Sequence, residues 1–229
     1  MMLRSVIALL IAGAATAGVA AQAPSPDAPF ASEIAAFTKA DRSAPAPRCA
    51  TLFVGSSSIR LWQTLAFDMA PYPVVNRGFG GSTIADVNLY FDQVVAPYRP
   101  RAIFFYAGEN DINAGKSPAQ VVSDFAVFLR KKDSRLGRTP VIFISLKPSK
   151  ARFAQLSRQS SVNAAVRRLA GQRRDLQVVD VASAMLGKDG RPRDIFQDDQ
   201  LHMTAEGYRI WTRILRPKVA AAAKRPCGG

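Results

Sequence analysis

The sequence predicts an α/β fold, a doubly wound three-layer α/β/α sandwich around a five-stranded parallel sheet, from three observations. Short apolar runs recur at residues 51–54, 73–75, 102–106, 141–146 and 176–181. They have the length and composition of strands buried on both faces. Between them lie stretches whose apolar residues fall at helical spacing, so strand and helix alternate along the chain. A helix start is also written out, since Ser117, Pro118 and Gln120 form a capping box with proline at the first helical position. Such alternation implies right-handed crossovers that put helices on both faces of one sheet, with ligands at the carboxyl ends of the strands.

Taken in chain order, the first element is a leader. Met1, Met2, Leu3 and Arg4 precede an uncharged run over residues 6–21 that closes on Val19, Ala20 and Ala21, the pattern of a secretory signal peptide. A membrane anchor is the alternative, but the run is shorter than the roughly twenty residues needed to cross a bilayer. Gly13 and Gly18 weaken it further as a helix. Breaks after Ala20, Ala21 or Ala23 would each leave a small residue at the end. The expected organisation is a signal peptide over residues 1–21, an Ala-, Pro- and Ser-rich tail over 22–48, and one domain over 49–229. The expected location is periplasmic or secreted. A domain of roughly 180 residues is enough for one well-buried core.

Within the domain, Ile84, Val87, Phe91 and Val94 can lie on one helical face. So can Val121, Phe125, Phe128 and Leu129, and again Phe153, Leu156, Val162, Val166 and Leu169. A last helix starts near Thr204, carries Tyr208, Trp211 and Leu215 on one side, and is expected to bend or stop at Pro217.

Charge narrows the partners. The chain has 31 Lys and Arg against 17 Asp and Glu, a formal net charge of +14, so anionic partners are favoured. The basic residues are dispersed, with modest clusters at 130–132 and 167–174 and no interleaved aromatics to stack bases, which argues against nucleic acid. Attraction to anionic envelope components stays open. Cys49 and Cys227 are an even pair, and export would let them form a disulfide. Two free thiols are the alternative, because Cys227 lies close to the chain's end.

The chemistry should follow the strands. After the first, residues 53–62 read FVGSSSIRLW. A serine at a strand-to-helix turn presents its hydroxyl at the sheet edge, where a helix N-terminus favours developing negative charge. Three serines after a glycine can equally be a turn with a helix cap. After the second strand come Asn76, Arg77, Gly78, Phe79, Gly80, Gly81 and Ser82, and after the third Gly108, Glu109, Asn110 and Asp111. Glycine lets backbone N–H groups approach an oxyanion, and asparagine supplies a neutral side-chain donor. Either segment alone is also an ordinary loop. The chain has one histidine, His202, so any serine hydrolysis needing an imidazole must use it. Asp199, three residues earlier, and Asp198 stand within a turn of it, where a carboxylate can fix the ring's tautomer. No cluster of His, Cys and carboxylate reads as a metal site.

In order, Gly55 with Ser57, Gly81, Asn110, and Asp199 with His202 resemble the four blocks of the SGNH/GDSL hydrolase superfamily, over residues 50–216. The resemblance implies a flavodoxin-like sheet and a serine ester hydrolase needing no cofactor or metal. It makes Ser57 the nucleophile, His202 the base, and Asp199 the residue orienting that base. The oxyanion hole would be formed by Ser57 and Gly81 N–H with the Asn110 amide. Ser56 and Ser82 stand where this superfamily often has Asp. Ser56 and Ser58 stay conceivable nucleophiles. An α/β-hydrolase would need a G-x-S-x-G elbow, which is lacking, and Gly78, Gly80 and Gly81 fit a dinucleotide site poorly, since they follow the second strand. The favoured substrate is a short-acyl ester, such as acetyl, on a carbohydrate. Lysophospholipase or thioesterase action, or a non-catalytic polysaccharide- or polyanion-binding module, are the alternatives.

Overall fold

The computed structural model describes residues 24, 25 and 27–226. The expected leader and Cys227 lie outside them. Strands β1 (Thr51–Gly55), β2 (Val74–Gly78), β3 (Ala102–Tyr106), β4 (Val141–Ile144) and β5 (Leu176–Val179) form one sheet. Its order is β2-β1-β3-β4-β5, and every neighbouring pair is parallel. This is the expected five-stranded flavodoxin-like arrangement. The chain reverses its direction of travel across the sheet between β1 and β3, so their carboxyl ends border a crevice where ligands bind.

The helices in chain order are α1 (Ala31–Ser43), α2 (Ser57–Arg60), α3 (Leu65–Asp68), α4 (Ile84–Leu89), α5 (Phe91–Val94), α6 (Glu109–Asn113), α7 (Pro118–Leu136), α8 (Leu156–Ala170) and α9 (Ala205–Ala223). Alternate residues of β3 serve opposite faces of the sheet. Phe104 stacks on Phe53, and Tyr106 meets Trp211 of α9 edge-on. Phe105 points the other way, among Phe125 and Phe128 of α7 and Phe143 of β4. On that second face α7 lies between α4 and α8. The predicted capping box holds, with Ser117 accepting from the Gln120 N–H and the Gln120 side chain returning to Ser117.

Three local expectations change. Residues 22–48 are not simply a tail, because α1 lies there. It buries Ile34, and Arg77 sits over the Phe37 ring while reaching Asp41. The composition of 22–48 signals a linker, but an apolar stripe with long-range partners overrides it. Strand β2 runs on through Asn76 and Arg77, which read as loop, because its register with Phe53–Gly55 pairs backbone groups whatever the side chains are. The last helix neither stops at Pro217 nor ends near it. Beyond the proline, Val219 and Ala222 are buried, and their packing offsets a break that costs about 3 kcal/mol in an isolated helix. Cys49 is disulfide-bonded. Among the described residues no helix is long and apolar enough to cross a membrane.

Candidate active site

Each candidate residue sits just past the carboxyl end of a strand or on the loop before α9. Gly55 ends β1 at φ +141, and a Cβ there would lie 1.8 Å from the Tyr106 carbonyl oxygen. Only glycine therefore lets β1 turn this tightly against β3. The turn makes Ser57 the first residue of α2, with Ser56 as its N-cap. Geometry separates the three serines. Ser56 and Ser58 are buried, whereas the half-buried Ser57 places its Oγ 3.0 Å from His202 Nε2.

His202 is fixed from its other side by Asp199, whose Oδ2 is 2.5 Å from Nδ1. The second carboxylate oxygen, Oδ1, accepts the N–H groups of Leu201 and His202, both at 2.9 Å. Desolvation alone would raise the Asp199 carboxyl, but these two backbone donors and the ring outweigh it and hold it down to about 2. An ionised carboxylate only accepts, so Nδ1 carries the imidazole proton and Nε2 is left as the acceptor facing Ser57. Asp198, the other candidate carboxylate, is not part of this chain of contacts. The three expected residues, 57, 199 and 202, are thus brought together in one line.

Gly81 has φ +74, and a Cβ there would meet nothing within 4 Å. The backbone conformation, not lack of room, is what calls for glycine. Its loop is braced by Ser82, whose single hydroxyl hydrogen is shared between the Phe79 carbonyl at 3.0 Å and the Gly55 carbonyl at 3.3 Å. The serine standing where the superfamily often has Asp thus ties the glycine loop to the end of β1. Asn110 lies on α6, and its Nδ2 donates to the Ser82 carbonyl at 2.9 Å. That bond uses one of two amide hydrogens and leaves the other for a substrate. Asp111 anchors the same region, its buried carboxylate accepting the Ile84 N–H and the Lys116 ammonium. Burial pushes its pKa up against those partners.

Sequence reasoning missed a buried ionic group behind these residues. Glu109 accepts the Tyr106 hydroxyl at 2.7 Å and faces the Lys147 ammonium at 3.2 Å. Lys147, almost fully buried, also donates to the Leu201 carbonyl at 2.9 Å, one residue from the histidine. Burial and then Glu109 push the Tyr106 hydroxyl well up, so it remains a donor. Arg152 donates to Asn110 Oδ1 at 3.0 Å. One signal could have found Lys147, a cation at the carboxyl end of an otherwise apolar strand. Among the described residues no group of three or more His, Cys, Asp or Glu is placed to hold a metal.

A model described as the GDSL-like lipase/acylhydrolase family matches residues 49–210. Solved structures share the fold at low identity. A Streptococcus pneumonia protein named for platelet activating factor has a TM-score of 0.73 at 17% identity, covering 82% of this chain and 92% of that one. A GDSL-like lipase from Bacteroides thetaiotaomicron has a TM-score of 0.71 at 19% identity, covering 82% and 98%. A carbohydrate esterase family 3 protein from Talaromyces cellulolyticus has a TM-score of 0.61 at 18% identity, covering 76% and 98%. No curated protein matches the chain.

Proposed function

The chain belongs to the GDSL-like lipase/acylhydrolase family, and from that premise we propose that it is a serine ester hydrolase using Ser57, His202 and Asp199. The observation that carries this reading is the unbroken line from Asp199 through both nitrogens of His202 to the Ser57 hydroxyl. Ser57 Oγ attacks the ester carbonyl while its proton passes to His202 Nε2, and Asp199 stabilises the imidazolium that forms. The oxyanion rests against Ser57 N–H, Gly81 N–H and the second Asn110 N–H. Collapse expels the alcohol, which takes the proton from His202. Water, with His202 again as base, then releases the acyl group and frees Ser57.

The substrate we favour is a short-acyl ester, such as acetyl, on a carbohydrate. Supporting it are the polar contacts of the site, with His202 on the Ser57 hydroxyl and Arg152 on Asn110, and the fold shared with the carbohydrate esterase from Talaromyces cellulolyticus. Export to the periplasm or beyond, and attraction to anionic envelope components through the net charge of +14, belong to the same reading. So does a Cys49–Cys227 bridge, which the bonded state of Cys49 supports.

A fluorophosphonate probe and a series of ester chain lengths test it. Wild type, Ser56→Ala and Ser58→Ala are expected to label and turn over acetyl esters faster than long-chain ones, and Ser57→Ala to do neither. Labelling of Ser57→Ala would place the nucleophile elsewhere. A preference for long chains would move the substrate to lysophospholipids or thioesters, and no labelling of wild type would leave only a binding module.

A further inference from the structure

An oxyanion donor built from an asparagine must present nitrogen, and the two ends of an amide are nearly alike in size. At Asn110 the choice is imposed from outside. Arg152 Nη1 donates to its Oδ1 at 3.0 Å, and its Nδ2 donates to the Ser82 carbonyl at 2.9 Å. A guanidinium has donors only. Turning the amide over would therefore set N–H against N–H at Arg152 and oxygen against oxygen at Ser82.

Arg152 is itself held. Its side chain is only 14% exposed, and Nη1 lies 3.5 Å from Glu109 Oε1. Glu109 is fixed in turn by the Tyr106 hydroxyl and Lys147. The Ala151 N–H donates to the Gln200 carbonyl at 3.0 Å, which ties this loop to the one bearing His202. Arg152 thus approaches Asn110 from a place registered to the base as well as to the oxyanion loop.

We propose that Arg152 is a positioning residue for ester hydrolysis, locking the Asn110 amide with its nitrogen toward the oxyanion and polarising it through a charge-assisted bond to Oδ1. The inference rests on the reading of Asn110 as an oxyanion donor. Arg152 acts through that side chain and not on the reacting atoms.

The test is a double-mutant cycle on kcat and KM for an acetyl ester, with the melting midpoint of each variant measured alongside. Arg152→Met is expected to lower kcat by about tenfold, the size of one charge-assisted hydrogen bond, and to leave KM unchanged. In an Asn110→Ala background the same change is expected to cost nothing further, because its target is gone. Arg152→Lys should recover part of the loss, and it carries the cycle if Arg152→Met does not fold. Losses that multiply in the double variant, or that fall on KM alone, would overturn the inference while leaving Asn110 its role. If Asn110→Ala itself leaves kcat intact, the oxyanion reading fails and takes this inference with it.

Discussion

Asp199 has a side chain that is 45% exposed, so its hold on His202 does not come from a dry environment. It comes from geometry, since one oxygen is pinned by two backbone N–H groups while the other faces the ring. With its carboxyl held down to about 2, Asp199 is ionised throughout the range in which an enzyme is assayed. Asp199 should therefore take up no proton between about pH 4 and pH 8, which a carboxyl-carbon NMR titration of wild type against Asp199→Asn would check. An Asp199 resonance that titrates within that window would remove the geometric hold on its charge. Asp199→Asn removes the carboxylate but keeps the shape, and a side-chain amide facing Nδ1 favours the wrong tautomer. Turnover should drop on the order of a thousandfold, somewhat less than for a buried counterpart, with the melting midpoint nearly kept. The pairing of His202 with Asp199 was legible because the chain has one histidine and a carboxylate three residues before it. The choice among Ser56, Ser57 and Ser58 was not legible from residue type, because it depends on which hydroxyl the turn at Gly55 leaves facing the histidine.

At the scale of elements, α1 lies before the stretch matched by the family, residues 49–210, yet it touches two parts of the site. Glu33 accepts the Gly80 N–H at 3.2 Å and faces Arg60 of α2 at 3.9 Å. One carboxylate thus spans the glycine loop and the helix that Ser57 begins. Phe30, the N-cap of α1, packs edge-on against Phe79 of the same loop. Glu33→Gln should lower kcat about fivefold, roughly one exposed charge-assisted bond, with KM and melting midpoint close to wild type. A kcat equal to wild type would make α1 a cover for the core and nothing more. The sheet was legible as runs of apolar residues, since burial on both faces leaves that mark. Helix α1 was not, because its partners, such as Arg77 and Tyr98 at Asp41, are remote in sequence. The Glu109, Lys147 and Arg152 group was hidden for the same reason, since Glu109 begins α6 whereas Lys147 and Arg152 lie on the connection between β4 and α8.

Across the whole molecule, the pole opposite the site carries its own charge cluster. Lys132 is fully buried and paired with Asp175 and Asp133, and Arg173 binds the same two carboxylates. Burial would raise the Asp175 carboxyl, but the hydrogen bonds of Arg173 and Lys132 outweigh it and hold it down to about 2. A carboxylate whose pKa falls on folding adds stability above its unfolded value, and that stability is lost as pH falls through the folded one. Asp175 should thus contribute about 2 kcal/mol at neutral pH, fading between about pH 4 and pH 2. Denaturant titrations of wild type and Asp175→Asn would show a gap at pH 7 that closes by pH 2, and a gap constant over that range would remove Asp175 from acid stability. The sheet order has a different consequence. Gly137 and Arg138 form an exposed join between α7 and β4, and cutting there leaves Ser57, Gly81 and Asn110 on one piece and His202 on the other. Neither piece holds Ser57 against His202 until β4 docks beside β3. The fold therefore lends itself to a split reporter, in which ester cleavage reads out the reunion of two half-sheets.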